Sequence, residues 1–194
     1  MCSWCYGFSP TFKKVLEELP SEIKIVYVQG GLAPHSSAPM QNNMKIMLQN
    51  TWKQIEQQVG VKFNHNFWTQ CQPRRSTYLA CQASIAARIQ NKEAQMIQAI
   101  QESYYLKAEN PSDRNTLELA AKNISLDSEK FKIDLESPKT IELFNKDLYL
   151  RNTLGVNSFP SLVLKCKDTY SPIKIQYNNE QAVLKEINDL IKKS

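Results

Sequence analysis

The chain has 194 residues, of which 42% are hydrophobic and 22% are charged, and its formal net charge is +5. This apolar content excludes an intrinsically disordered chain, and the sequence holds no apolar run of about 18 residues, so we expect no membrane span. The basic residues are scattered among acidic neighbours, which argues against a nucleic-acid partner. Length and composition together predict one globular domain, or one domain that carries a large insertion.

The first predicted elements are a helix and a strand. Apolar residues at helical spacing predict a helix over residues 9–19, and Pro20 ends it. Residues 23–28 are mostly β-branched and aromatic, which predicts a buried strand. Gly30 and Gly31 then break that strand.

Residues 40–151 are predicted to be entirely helical. Apolar side chains recur there at helical spacing, with short polar breaks and no internal repeat. The predicted helices cover residues 44–55, 76–89, 93–107, 113–120, 127–135 and 138–148.

Strand patterns return after this helical block. Residues 161–166 and 173–177 are predicted strands, and residues 180–193 form a predicted amphipathic helix. We therefore predict an α/β core from residues 1–39 and 152–194, with residues 40–151 as an inserted helical domain.

Cys2 and Cys5 form a C-x-x-C motif just before the first predicted helix. Thiol–disulfide exchange needs a thiolate nucleophile and a second thiol within reach. The amides and dipole at a helix N-terminus lower the pKa of a nearby thiol. We predict that Cys2 is the nucleophile and Cys5 the resolving thiol, with Trp4 as a flat apolar surface beside them.

The same motif could be half of a zinc site, which needs about four ligands. The remaining candidate ligands are poorly placed for this, because Cys71 and Cys81 lie on a predicted loop and helix and His35 and His65 stand alone. We predict no metal and interpret Cys71, Cys81 and Cys166 as structural thiols. One redox pair among five cysteines fits a reducing, cytoplasmic compartment.

Pro160 lies directly before the strand predicted at residues 161–166. A proline at the start of a strand gives up a hydrogen-bond donor. A cis peptide before it would expose the backbone of Phe159, although the trans form is commoner. The presence of the C-x-x-C motif in the same chain makes us favour the cis form.

The opening segment, from Cys2 to Phe8, resembles the active-site segment of DsbA-like thioredoxin-fold proteins and is most similar to the FrnE-like branch of disulfide oxidoreductases and isomerases. The other similar segments are Gly30-Gly31-Leu32, Arg75-Ser76-Thr77 with Ala80, and Gly155-Val156 before Phe159-Pro160. The resemblance implies a thioredoxin-like fold with a large all-helical insertion.

The resemblance also implies a mechanism and its partners. Cys2 would be the nucleophile, Cys5 the resolving cysteine and Pro160 the cis-proline. Trp4, Phe159 and Pro160 would contact the substrates, which are protein dithiols or disulfides docked beside the proline loop by backbone pairing. No cofactor is implied, and glutathione is a candidate redox partner.

The chain departs from that family at its start. In the family a central strand precedes the active-site loop, whereas this sequence begins one residue before Cys2. We expect that the native protein has this strand upstream, or that an equivalent strand comes from elsewhere, because a gap in the sheet leaves backbone groups unpaired. Upstream residues could also hold an export signal, which would make the protein periplasmic.

Two other functions stay open on the same fold. Glutathione-dependent enzymes that resemble 2-hydroxychromene-2-carboxylate isomerase and kappa-class glutathione transferase have a serine where this chain has Cys2. A non-catalytic binding module, such as an adaptor, would keep the fold without needing the cysteine pair.

Overall fold

Helices form most of residues 1–193, the part of the chain that this computed structural model describes. The predicted helices are confirmed to within a few residues, except the first; α3 was not predicted. Among the described residues, no helix has both the length and the apolar character needed to cross a bilayer. The helices are α1 Ser3–Glu18, α2 Asn42–Val59, α3 Phe67–Gln70, α4 Tyr78–Ile89, α5 Glu93–Tyr105, α6 Arg114–Asn123, α7 Ser128–Asp134, α8 Pro138–Thr153 and α9 Glu180–Lys193.

Helix α1 begins well before the predicted start at residue 9, so Pro10 lies inside the helix rather than in its first turn. Proline has no backbone N–H, so the carbonyl one turn earlier receives no hydrogen bond from it. The Ser9 hydroxyl donates to the Tyr6 carbonyl oxygen at 2.7 Å instead. This side-chain hydrogen bond lets the helix continue through Pro10.

The sheet consists of two antiparallel strands, β1 Leu162–Cys166 and β2 Thr169–Ile173, with Leu162 opposite Ile173. The predicted second strand, residues 173–177, is therefore misplaced. The turn between the strands is tight, with Lys167 at φ 52°. Pro172 lies within β2, opposite Val163.

The strand predicted at residues 23–28 is wrong for the described chain, because this segment is extended but pairs with no strand there. Val26 is 74% exposed. The backbone just beyond it is held by side chains instead: Gln29 N donates to Asp147 Oδ2 at 2.8 Å. A β-rich sequence pattern forms a ladder only where a neighbouring strand supplies the partner groups.

Separate apolar clusters stabilise the two parts of the chain. One joins α1, β2 and α9 through Val15, Ile173, Val183, Leu184 and Ile187. Another lies among α4–α7 and includes Met96, Ile100, Leu117, Phe131 and Leu135. The division into residues 1–39 with 152–194 and residues 40–151 stays a prediction.

A charged cluster holds the helices against the extended segment. The Arg88 guanidinium donates to Glu93 at 2.6 and 2.7 Å and to Asp147 at 2.7 and 3.1 Å. It also donates to the Tyr27 carbonyl at 3.0 Å. Both carboxylates are only 9% exposed at the side chain, so their charges depend on Arg88.

We expect Arg88→Met to destabilise the protein by about 2 to 3 kcal/mol, because it leaves two nearly buried carboxylates without their cation. Arg114→Met is the matched control, since Arg114 pairs with Glu118 and Glu136 near the surface and should cost less than about 1 kcal/mol. Urea unfolding measures both. Equal losses in the two variants would contradict this role of Arg88.

Candidate active site

The two cysteines of the motif lie on the first turn of α1. Cys2 is the N-cap residue, in an extended conformation at φ −96° and ψ 121°, and Cys5 is inside the turn. Both thiols are free and half-buried. An N-cap side chain faces the unsatisfied amides of the first turn, which is the placement that stabilises a thiolate.

The two thiols have opposite pKa shifts. A hydrogen bond with the Cys5 side chain lowers the pKa of Cys2 to about 6, against the effect of burial. The backbone amide of Cys5, the positive charge of the Met1 amino group and the backbone amide of Trp4 add to the decrease, in that order. The same thiol–thiol hydrogen bond, with burial, raises the pKa of Cys5 well above its usual value. At neutral pH, Cys2 is thus the thiolate and Cys5 the protonated donor.

The proline loop lies against the dithiol, although it is distant in sequence. The Cys2 thiol, when protonated, donates to the Phe159 carbonyl oxygen, with Sγ 3.5 Å away. The peptide between Phe159 and Pro160 is cis, and both residues are half-buried. The structure therefore brings together Cys2, Cys5, Phe159 and Pro160.

Gly30 and Gly31 allow the backbone to approach the proline loop and α8 closely. A Cβ atom on Gly30 would lie 2.3 Å from the ring of Phe159, which leaves no room for a side chain. Gly31 has φ +58°, and a Cβ there would lie 2.5 Å from Leu148. Arg151 donates to the Gly30 carbonyl at 2.7 Å and fixes this strip of backbone. The Gly30-Gly31-Leu32 segment, which is part of the family resemblance, thus supports the ring of Phe159.

Trp4 packs on an aromatic residue that the sequence did not single out. The ring centroids of Trp4 and Tyr177 are 5.2 Å apart, and Tyr177 also contacts Phe8 at 5.8 Å. Burial, with the nearby Cys2 and Cys5, raises the pKa of Tyr177 to about 12. Trp4 is half-buried, so its indole is partly packed and partly open beside the sulfurs.

The remaining cysteines differ from this pair in their environment. The Cys71 thiol donates to the Ala108 carbonyl at 2.9 Å, and Cys81 is buried in α4. Burial raises the pKa of both thiols, which makes them poor nucleophiles. Within residues 1–193, no group of three or more His, Cys, Asp or Glu side chains is arranged to hold a metal ion.

A groove of about 240 Å³ opens beside the dithiol end of α1. Its apolar lining includes Met40, Met44 and Met47, and Arg74 and Arg75 contribute positive charge. Arg74 pairs with Asp113, whereas Arg75 is exposed. The groove thus combines an adaptable apolar wall with a basic edge.

Comparison with known proteins identifies a matching family and several similar proteins. A family model described as Thioredoxin matches residues 1–186. The chain is similar to the ClpXP adapter protein SpxH of Bacillus subtilis, with 28% identity over 165 residues that cover 84% of this chain and 54% of that protein. It spans about half the length of the curated relatives it matches.

Solved structures resemble the whole chain. A Nitrosomonas europaea protein proposed to be a disulfide isomerase superposes with a TM-score of 0.86 at 18% identity, covering 100% of this chain and 94% of its own. The cytosolic disulfide reductase DsbM of Pseudomonas aeruginosa, also solved with glutathione, superposes with a TM-score of 0.74 at 19% identity, covering 100% and 92%.

These likenesses confirm the predicted fold, a helix-rich α/β architecture of the DsbA-like thioredoxin type. The narrower resemblance to the FrnE-like branch stays a prediction. With the family match over residues 1–186, the chain belongs to the thioredoxin family.

Proposed function

We propose that this protein is a thiol–disulfide oxidoreductase or isomerase that acts on other proteins. The observation that carries the proposal is the placement of Cys2 at the N-cap of α1, where its pKa is lowered to about 6. A thiolate at neutral pH is the reactive form of cysteine. A buried structural cysteine would have the opposite shift, as Cys81 does.

The proposed reaction has two exchange steps. The Cys2 thiolate attacks one sulfur of a substrate disulfide, so that a Cys2–substrate bond forms, the substrate S–S bond breaks and the leaving sulfur takes up a proton. Cys5 then loses its proton and attacks the Cys2 sulfur, which releases the reduced substrate and leaves a Cys2–Cys5 disulfide. The reverse sequence oxidises a substrate dithiol.

The surroundings of Cys2 support a polypeptide substrate. The Phe159 carbonyl faces the Cys2 sulfur at 3.5 Å, so a substrate strand that pairs with the Phe159–Pro160 loop would bring its own sulfur to Cys2. The open part of Trp4 supplies an apolar contact on the other side. Trp4, Phe159 and Pro160 are therefore the proposed substrate-binding residues.

We also propose glutathione as the redox partner that returns the oxidised dithiol to its reduced state. Two glutathione molecules would give up two hydrogens and leave as glutathione disulfide. The groove is lined by Met1, the residue before Cys2, and has a basic edge at Arg75 that suits the carboxylates of glutathione. A reducing compartment, such as the one named for the Pseudomonas reductase, supplies glutathione in this form.

A second candidate function is that of an adapter for a ClpXP-type protease. It is favoured by the 28% identity to the Bacillus subtilis adapter over 84% of this chain. An adapter would bind through its surface without exchanging thiols. A Cys2→Ser/Cys5→Ser double variant that still recruits a client protein to ClpXP would support this function over the oxidoreductase.

The rate of Cys2 alkylation should follow the titration of a thiol with a pKa of about 6. Above that pH the thiolate dominates and the rate is nearly constant, and below it the rate falls about tenfold per pH unit. Iodoacetamide labelling, read at Cys2 by peptide mass spectrometry, measures this profile. Cys81 in the same sample is the internal control and should not react near pH 7, because burial raises its pKa. A midpoint for Cys2 above pH 8 would contradict the assignment.

Cys5→Ser should trap substrates as mixed disulfides on Cys2, because the resolving thiol is gone while the nucleophile remains. We expect covalent adducts with a scrambled, disulfide-containing protein on non-reducing gels, and insulin reduction at less than about a hundredth of the wild-type rate. Cys71→Ser is the matched control and should reduce insulin normally. Adducts on Cys71 or Cys166 rather than on Cys2 would overturn the assigned roles.

Arg75→Glu should raise the glutathione concentration needed for half-maximal turnover by about tenfold, since it replaces an attractive charge at the groove with a repulsive one. The rate with dithiothreitol, which carries no charge, should not change. Arg114→Glu, on another surface, serves as the control variant. An equal loss with both reductants would show that Arg75 does not contact glutathione.

A further inference from the structure

Ser3, between the two cysteines, is tied to the helical part of the chain. Its side-chain oxygen accepts a hydrogen bond from the Trp52 indole nitrogen at 2.9 Å. Ser3 is 7% exposed and Trp52 is fully buried. A hydrogen bond in such a dry site is costly to lose, because the indole N–H would have no water to replace it.

Trp52 belongs to an aromatic cluster, which we define as Trp52, Phe63, Phe67, Tyr104 and Tyr105. Its indole ring stacks on Phe63, with centroids 4.8 Å apart, and packs edge-on against Tyr105 at 5.6 Å. A tryptophan held on several sides presents its N–H in one fixed direction. Ser3 therefore meets a rigid donor.

The second polar group near Ser3 is the Tyr105 hydroxyl. It is buried and has no hydrogen bond of normal geometry among the described residues. Ser3 nevertheless acts on it, lowering the pKa of Tyr105 against the larger increase that burial causes. The Tyr105 hydroxyl is therefore close enough to Ser3 to be influenced by it, but the hydrogen bond that anchors Ser3 is the one from Trp52.

We propose that Ser3 is a positioning residue for thiol–disulfide exchange: through its hydrogen bond to Trp52, the aromatic cluster fixes the first turn of α1, which carries both Cys2 and Cys5. This inference rests on the proposed function, because it assigns a role within the same site.

The contacts of Tyr6 confine the effect of losing the Ser3–Trp52 hydrogen bond to the first turn of α1. Tyr6 stacks on Tyr105 at 4.6 Å and its hydroxyl donates to the Lys62 carbonyl at 3.0 Å, so α1 stays attached without Ser3. Ser3 is the first residue of the helix, directly between the N-cap Cys2 and the amide of Trp4. Loss of its anchor frees the turn that places the Cys5 thiol beside Cys2 and leaves the rest of the helix in place.

The test is the pKa of Cys2 in the full chain, measured from alkylation rates across pH and read at Cys2 by peptide mass spectrometry. Ser3→Ala and Trp52→Phe should each raise that pKa from about 6 by about one unit, since both break the same hydrogen bond. The double variant should show no larger shift than either single variant. Ser84→Ala is the matched control: Ser84 is also a buried serine, but its hydroxyl donates to Ala80 within α4.

Circular dichroism and thermal melts establish that each variant is folded. If Trp52→Phe does not fold, the Cys2 pKa in Ser3→Ala alone tests the proposal. An unchanged Cys2 pKa in folded Ser3→Ala, an equal shift in Ser84→Ala, or additive shifts in the double variant would each overturn the proposal. The readout needs no turnover. A wild-type protein that reduces no disulfide would refute the proposed function, yet these pKa shifts would still report whether Ser3 positions the turn.

Discussion

The site depends on one local arrangement, a cysteine that caps the N-terminus of α1. The cap places the Cys2 sulfur among amides that have no partner inside the helix, and the two-residue spacing puts the Cys5 thiol within hydrogen-bond reach of it. This single turn separates the two pKa values, so one sulfur is charged while the other keeps its proton. A dithiol without the helix would have two similar thiols and no preferred nucleophile.

The rest of the chain holds that turn in place from three directions. The proline loop approaches Cys2 through the Phe159 carbonyl, and Gly30 allows the ring of Phe159 to lie close to the backbone. Tyr177, which follows the hairpin, packs against Trp4. From the helical part, Trp52 binds Ser3. Each contact joins segments that are distant in sequence, which is why the site needs the whole fold.

The features that local sequence determines could be predicted. Apolar periodicity located the helices of residues 40–151 because each buries one face. The spacing of Cys2 and Cys5 predicted that both lie at the start of a helix, and the structure places them on the first turn of α1, while their chemical roles stay a proposal. The short helix α3 was missed, since four residues are too few to show a period.

Features that depend on distant partners could not be predicted. Residues 23–28 have a strand composition but no paired neighbour in the described chain. Strand β2 starts at Thr169, four residues earlier than predicted, because the hairpin turn, rather than Pro172, sets the register of the two strands. Nothing local marks Tyr177 as a neighbour of Trp4. Nothing in the sequence marks Ser3 as a partner of Trp52, and only the structure shows the hydrogen bond between them.

The central claim is that Cys2 and Cys5 form a reversible redox pair. Equilibration of the protein in glutathione buffers of stepped ratio, followed by acid quenching and mass spectrometry, measures the fraction in which these two residues are joined. The account predicts one two-electron transition at Cys2 and Cys5, with Cys71, Cys81 and Cys166 remaining reduced. No Cys2–Cys5 disulfide at any ratio, or a disulfide that includes another cysteine instead, would contradict it.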